Sequence, residues 1–253
     1  MQIFLSTSPL DEPSAAKHTR SIAHAAYRIG SGSTLLRQNL LQSRGGLLSI
    51  SDGDTPPISD PAALCAAVKR ECSRREYSGV VLDFEKSLRD DYKPFIRQLG
   101  EALHAVKRTL FLPESCAGIA PGAVVILCTA ISGGSFREYL EGAVKRFGPE
   151  HIALDAQRLR MLFPLPCPGG EGTPLSAAEL RSLLANSPSV FFSPELCCRY
   201  FTFTRHGQTC FVLFDDAGTM RQKLDTAAAL GISTAFFLWP EVEDIAVEIP
   251  WQA

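Results

Sequence analysis

The sequence lacks the features that mark several large classes of protein. It has no excess of basic residues, since 25 Lys and Arg stand against 27 Asp and Glu among 253 residues, which gives a formal net charge of −2. A surface that binds nucleic acid normally carries a clear excess of Lys and Arg, so we expect no nucleic-acid partner. No apolar run reaches the roughly 20 residues that span a bilayer. We therefore expect no membrane partner either.

Metal sites and disulfides are not indicated. The eight cysteines form no C-x-x-C pair, and the five histidines are scattered without ligand spacing. Cysteines inside apolar segments are typical of buried, reduced thiols, so we predict no metal, no disulfide framework and no other cofactor. Residues 1–6 contain no basic stretch followed by an apolar core. We therefore predict that there is no signal peptide and that the location is cytoplasmic or spore-associated.

What the sequence has is a regular alternation of short apolar runs with amphipathic segments of helical period. This alternation is typical of repeated β-α units around a parallel sheet. Strands are predicted at 3–7, 46–51, 79–85, 109–113, 123–130, 151–154 and 233–239, and an eighth is expected between residues 24 and 40, where the pattern is weak. We predict an α/β fold of the (β/α)8 TIM-barrel type, complete or one strand short.

The β-α rhythm breaks between residues 164 and 216. A loop rich in Pro and Gly is followed by a helical segment at 177–184 and by two apolar runs, 201–204 and 210–214. The two runs predict a small antiparallel hairpin, inserted before the last helix. Because the final strand must return to close the same sheet, we predict a single domain over 1–253, with the insertion at about 190–216.

Two carboxylates end the strand predicted at 79–85. Asp83 and Glu85 are two residues apart, and side chains at that spacing lie on the same face of a strand. Chemistry in α/β barrels is carried at the carboxyl ends of strands. A helix cap or a salt-bridged pair is the alternative interpretation, and the barrel context favours a catalytic pair.

The residues around this pair resemble the signature of glycoside hydrolase family 18, the class of chitinases and spore-cortex glucosaminidases. That signature reads D-G-x-D-x-D-x-E. Gly79, Asp83 and Glu85 match it, whereas Ser78 and Val81 replace the first two aspartates. The sequence therefore retains the proposed acid of the signature, Glu85, and one supporting carboxylate, Asp83.

The resemblance extends over about residues 46–239. Residues 47–53 look like the S-x-G-G strand motif that precedes the signature, and residues 193–233 are similar to the C-terminal stretch of the spore-type members. Trp239 stands one position out of register with the tryptophan of their last strand. Two departures are clear: Ala130 occupies the position of a family tyrosine, and residues 153–158 replace the motif G-I-P-L-Y-G.

The resemblance implies an enzyme that hydrolyses β-1,4-linked N-acetylglucosamine in peptidoglycan or chitin-like glycans. In family 18 the acetamide of the substrate supplies the nucleophile, so a single protein acid is sufficient and configuration is retained. The matching positions imply Glu85 as general acid and base and Asp83 as the carboxylate that orients the acetamide. We predict substrate-binding residues at the barrel mouth: Trp239, Asp52, Glu114 and Ser49.

Two other interpretations stay open. Val81 and Ala130 favour a catalytically silent barrel that binds a glycan or a protein partner. The glycine pair within Ser132–Ser135 would suit a phosphate at a helix N-terminus, as in a barrel enzyme of another class, although a tight β-α turn explains it equally well.

Overall fold

The fold is given by a computed structural model that describes residues 1–186 and 189–251. Its strands are β1 (Gln2–Thr7), β2 (Ile22–Gly30), β3 (Thr34–Arg37), β4 (Leu47–Ser51), β5 (Gly79–Asp83), β6 (Thr109–Pro113), β7 (Val124–Cys128), β8 (Ile152–Asp155), β9 (Arg160–Pro164), β10 (Thr173–Pro174), β11 (Phe191–Ser193), β12 (Cys198–Arg205), β13 (Gln208–Phe214) and β14 (Thr234–Leu238). Its helices are α1 (Glu12–Ala15), α2 (Pro61–Arg75), α3 (Tyr92–His104), α4 (Phe136–Phe147), α5 (Ala177–Asn186), α6 (Ala217–Ala229) and α7 (Trp239–Val242).

Eight parallel strands in the described chain close into a barrel. Their order around it is β1, β2, β4, β5, β6, β7, β8 and β14, and β14 pairs again with β1. All neighbouring pairs are parallel, so every carboxyl end lies at the same end of the barrel. The predicted (β/α)8 barrel is confirmed, and it is complete. None of the helices in the described ranges is long and apolar enough to cross a membrane.

The weakly predicted eighth strand is β2. It begins at Ile22, two residues before the range expected from the sequence, and it continues into an antiparallel partner, β3, outside the barrel. The pairing of β2 with β4 shifts register between Ala25 and Tyr27. Such a bulge interrupts the alternation of inward and outward side chains. This interruption explains why the strand shows no clean period of two in the sequence.

Aromatic side chains fill the barrel interior below its carboxyl end. The rings of Phe4 and Phe236 stack at a centroid distance of 5.3 Å, and Phe111 meets Phe236 edge to face at 5.1 Å. Val81 and Ala153 belong to the same buried cluster. Because these side chains close the centre of the barrel, the space open to a ligand lies above them, at the strand ends.

A five-stranded antiparallel sheet is inserted between β8 and α6. Its order is β10, β9, β13, β12 and β11, and the predicted hairpin is β12–β13, turned at His206 and Gly207, which both have positive φ. The inserted sheet begins at Arg160, so the predicted insertion at 190–216 is too short. Strands β9 and β13 pair although they are some fifty residues apart in the chain, so no local sequence pattern predicts the pairing. That the whole chain behaves as one domain stays a prediction.

A buried ion pair fastens this insertion to the barrel. Lys223 on α6 and Asp215 are 1% and 0% exposed, and their Nζ and Oδ2 atoms are 2.7 Å apart. Lys223 also donates to the carbonyl of Thr129, after β7, while Asp215 accepts from the backbone N–H of Leu159 and the hydroxyl of Thr219. Both charges are thus satisfied by hydrogen bonds, and the loops after β7 and β8 are tied to one helix.

Replacing Lys223 by methionine should destabilise the protein strongly. Lys223→Met leaves the Asp215 carboxylate buried without a counter-charge, and removing one partner of such a pair typically costs about 3–5 kcal/mol. The free energy of unfolding from urea denaturation measures the loss. Arg221→Met, on the exposed side of the same helix, is the control and should change the free energy by about 0.5 kcal/mol or less. Equal effects of the two substitutions would contradict the structural role of the pair.

Candidate active site

A cavity of about 630 Å³ opens at the carboxyl end of the barrel. Its walls come from the ends of most of the barrel strands and from the loops that follow them. Its acidic lining side chains are Asp83, Glu85, Glu114 and Asp155. No Lys, Arg or His from the described residues lines it. The cavity is therefore an anionic cleft above an apolar floor.

The structure brings Asp83 and Glu85 into this cavity by a different route from the one predicted. Strand β5 ends at Asp83, so Glu85 lies in the loop beyond it and does not belong to the pleat. The loop is fixed by Asp52, whose Oδ1 accepts from the backbone N–H of Glu85 at 3.0 Å and whose Oδ2 accepts from that of Lys86 at 3.2 Å. The position of Glu85 thus depends on a carboxylate that follows the neighbouring strand β4.

Asp52, predicted from the sequence to bind substrate, does not line the cavity. Its side chain is only 2% exposed, and both of its oxygens are occupied by backbone N–H groups. The prediction placed Asp52 at the barrel mouth, and the chain does pass there. The carboxylate, however, turns into the protein and serves as an anchor for the Glu85 loop.

The two cavity aspartates have raised pKa values. The Asp83 carboxylate reaches solvent through the cavity mouth, but the surrounding walls remove much of its hydration and raise its pKa to about 6, with smaller contributions from the charges of Glu85 and Asp52. Loss of hydration likewise raises the pKa of Asp155 to about 6, and the charges of Asp83 and Glu85 add to this effect. Acids perturbed in this way inside a cleft are typical of functional sites.

Asp155 was not identified from the sequence. The predicted strand at 151–154 stops one residue short of it, whereas β8 runs from Ile152 to Asp155 and presents this carboxylate at the barrel mouth. Gln157 and Cys128 line the cavity beside it, and the Cys128 thiol donates to Oε1 of Gln157 at 3.2 Å. The available signal was an acid directly after an apolar run, the same signal that marked Asp83.

The other predicted substrate-binding residues divide into two groups. Ser49 on β4 and Glu114 after β6 both line the cavity, and Glu114 is partly neutralised by Arg146 at 3.4 Å. Trp239 is 3% exposed and packs in the core against His18 at a centroid distance of 5.3 Å. Because the final strand ends at Leu238, the next side chain turns away from the mouth. Trp239 therefore does not line the cavity in which the sequence prediction placed it.

A hydroxyl does line the wall on which the family tyrosine is missing. Ala130 contributes no side chain to the cavity, but Tyr139, one turn into α4, does. Burial, the charge of Glu114 and the Cys128 thiol raise the pKa of Tyr139 to about 12, so its hydroxyl stays protonated at neutral pH. Ser135, in the nearby glycine turn, caps α4 by accepting from the N–H of Glu138.

The cations nearest the site are engaged elsewhere. Arg158 follows β8 but donates to the carbonyl of Glu241 and to Asp244 at 2.6 Å, so it does not close off Glu85. Lys86 donates to the carbonyl of Gly53. Nowhere in residues 1–186 and 189–251 are three or more His, Cys, Asp or Glu side chains arranged to hold a metal ion. Asp83, Glu85 and Asp155 therefore face the cavity without an ion-pair partner from the described chain, whereas Glu114 is paired with Arg146.

The chain is similar to known proteins in structure. A scan against protein-family models and a search of curated proteins found no match. The spore cortex-lytic enzyme SleL of Bacillus megaterium is similar in structure, with a TM-score of 0.65, 15% identity and coverage of 99% of this chain and 74% of that one. A chitinase of Chromobacterium violaceum has a TM-score of 0.64 at 15% identity and covers 93% of each chain.

A glycoside hydrolase family 18 chitinase of Cycas revoluta, solved in complex with (GlcNAc)3, is also similar. Its TM-score is 0.67 at 12% identity, with coverage of 98% of each chain. At these identities the likenesses establish the fold. They agree with the resemblance found in the sequence, because structures of the same enzyme class match nearly the whole barrel.

The anchoring role of Asp52 can be tested without any substrate. Asp52→Ala removes two charge-assisted hydrogen bonds and should lower the free energy of unfolding by about 2–4 kcal/mol. It should also abolish protection of the Glu85 and Lys86 amide protons in hydrogen exchange. Asp54→Ala, at an exposed position in the same turn, is the control. Retained protection of both amides in the Asp52 variant would show that another interaction holds the loop.

Proposed function

We propose that this protein is a glycoside hydrolase of the family 18 type, acting on β-1,4-linked N-acetylglucosamine in peptidoglycan or chitin-like glycans. The observation that carries the proposal is the position of Asp83 and Glu85, which line one cavity at the carboxyl end of a (β/α)8 barrel. The structural likeness to chitinases and to SleL supports the same substrate class.

The proposed reaction needs one acid from the protein. The acetamide oxygen of the bound sugar attacks the anomeric carbon while Glu85 donates its proton to the leaving glycosidic oxygen. Asp83 accepts a hydrogen bond from the acetamide N–H and offsets the positive charge of the resulting cyclic intermediate. Water then attacks the anomeric carbon, the bond from that carbon to the acetamide oxygen breaks, and the water gives a proton to Glu85, which restores the acid and retains the configuration.

The cleft supplies further features that suit a sugar. Ser49, Tyr139 and Gln157 place a hydroxyl, a phenol and an amide around the same cavity. Phe236 and Leu238 contribute apolar surface, which suits the less polar face of a pyranose ring. A lining that combines a few polar groups with an apolar wall is expected for an uncharged polyhydroxylated ligand. A nucleotide or a phosphorylated substrate would meet a ring of carboxylates instead.

The test is turnover of an N-acetylglucosaminyl reporter substrate by the wild type and by Glu85→Gln. Because a positioned general acid contributes about 10²–10⁴-fold to the rate, the variant should lose at least two orders of magnitude in kcat/KM. Glu101→Gln, which changes an exposed carboxylate on α3, is the matched control. Equal activity in wild type and Glu85→Gln would refute Glu85 as the acid.

The identity of the nucleophile can be tested separately. If the acetamide attacks, a reporter glucoside with a hydroxyl in place of the acetamide should show no detectable turnover, and the product of the normal substrate should keep its anomeric configuration. Cleavage of both reporters at similar rates would contradict a substrate-assisted mechanism.

A catalytically silent, glycan-binding barrel is the second candidate. It is favoured by Val81, which lines the cavity at a position where the family signature has an aspartate. Titration calorimetry with chitooligosaccharides separates the two functions. Saturable binding without turnover supports the silent barrel, whereas turnover that depends on Glu85 supports the enzyme.

A further inference from the structure

We propose that Asp155 is a third acid of this site, a positioning residue whose negative charge acts on Asp83 from another wall of the barrel. The inference rests on the function proposed above. It assigns a role to a residue that stands outside the D-G-x-D-x-D-x-E signature.

The geometry places the two aspartates in equivalent positions on separate walls. Asp83 is the last residue of β5 and Asp155 is the last residue of β8, and β6 and β7 stand between these strands. Both side chains line the same cavity. Since neither neighbours the other in the sheet, only the closed barrel brings them to a common space.

The described chain leaves both carboxylates unpaired, and their neighbours are mostly acidic or neutral. Neither side chain accepts a hydrogen bond from any residue in 1–186 or 189–251. The titratable and charged groups around them are Glu85 after β5, Asp52 and Lys86 at the adjoining loops, Glu114 with Arg146 after β6, Cys128 at the end of β7, Tyr139 on α4, and Arg158 after β8. Among these, the cations are held by other partners, so no cation of the described chain pairs with either aspartate.

Electrostatic coupling between titrating groups is reciprocal. The charge of Asp83 raises the pKa of Asp155, whereas the raised pKa of Asp83 comes first from loss of hydration and then from the charges of Glu85 and Asp52. Because the interaction of two charges is mutual, ionisation of Asp155 opposes ionisation of Asp83 where both titrate in the same pH range. The two groups take up a proton as the pH falls through about 6. In the family signature a carboxylate at position 81 would stand beside Asp83, and Val81 removes it. Asp155 supplies a negative charge to the same carboxylate from a different strand.

The ionisation of Asp83 should set the lower pH limit of the proposed activity. Asp83 must be ionised to hold the acetamide N–H and to offset the positive intermediate, so activity should fall as the pH falls through its pKa. Because Asp155 makes Asp83 harder to ionise, it moves this limit to higher pH. Removing the charge of Asp155 should therefore extend activity toward lower pH.

The direct test is titration of the aspartate carboxyl carbons by NMR in the whole protein, without substrate. Asp155→Asn should lower the pKa of Asp83 by about one unit, the size expected for two charges in a partly hydrated cleft. Asp155→Glu keeps the charge and should keep the raised pKa. Asp83→Asn should lower the pKa of Asp155 in return. Asp225→Asn, the same chemical change at an exposed position of α6, should leave both unchanged.

The inference is overturned if Asp83 titrates at the same pH in the wild type and in Asp155→Asn, or if Asp225→Asn moves it equally. The activity profile adds a second readout, in which Asp155→Asn should shift the acid limb of kcat/KM by about one unit to lower pH while Asp155→Glu leaves it in place. If the wild type shows no turnover, the proposed function fails, and the carboxyl titration still decides the role of Asp155.

Discussion

Closure of the barrel is the constraint on which the candidate site depends. Strand β1 pairs with β14 on one side and with β2 on the other, so the first and last strands of the chain are neighbours. Because all eight strands are parallel, the last residue of each faces the same end, and the packed rings of Phe4, Phe111 and Phe236 fill the interior below it. Side chains that are more than seventy residues apart, such as Asp83 and Asp155, therefore share one cavity.

Acidic residues at this end of the barrel have two different roles, and the surroundings of each carboxylate show which role it has. Asp52 and Asp215 are buried, and their oxygens accept hydrogen bonds from backbone N–H groups, a hydroxyl or a lysine. Such carboxylates hold loops in place, since an unsatisfied buried charge would be costly. Asp83 and Asp155 face solvent across the cavity with raised pKa values and no donor from the described chain. Groups of this kind are available to a ligand.

The sequence was sufficient to predict the barrel, because β-α alternation is a local pattern repeated many times. It failed where structure depends on a single residue of register or on long-range pairing. Trp239 is buried because β14 ends one residue earlier than predicted, and Asp155 was missed because β8 ends one residue later. The five-stranded inserted sheet was recognised only at its hairpin, since the partner strand β9 lies far away in the chain.

The pair of Asp83 and Glu85 shows how a correct expectation can rest on an incomplete reason. The period of a strand predicted that both face one space, but the strand stops at Asp83, and the Asp52 carboxylate places Glu85. No sequence pattern reveals that bond, because the donor is a backbone N–H group and the acceptor follows a different strand. Local structure alone therefore does not fix the distance between the two proposed functional groups. The bond between adjoining loops is needed as well.

In a closed barrel, the loss of one acid from a signature motif can be offset by an acid on another strand. A motif counts the acids on one strand, and by that count Val81 marks the loss of a charge next to Asp83. The ionisation of a carboxylate in the cavity responds to charges on all the strands that line it. The reason is that an electrostatic effect depends on distance and hydration, not on the order of residues in the chain. The charge of Asp83 accordingly acts on the carboxylate at the end of β8 across the mouth, and such an interaction is mutual. Loss of an acid from the signature is not equivalent to loss of its electrostatic effect, provided that another strand end of the closed barrel carries the charge.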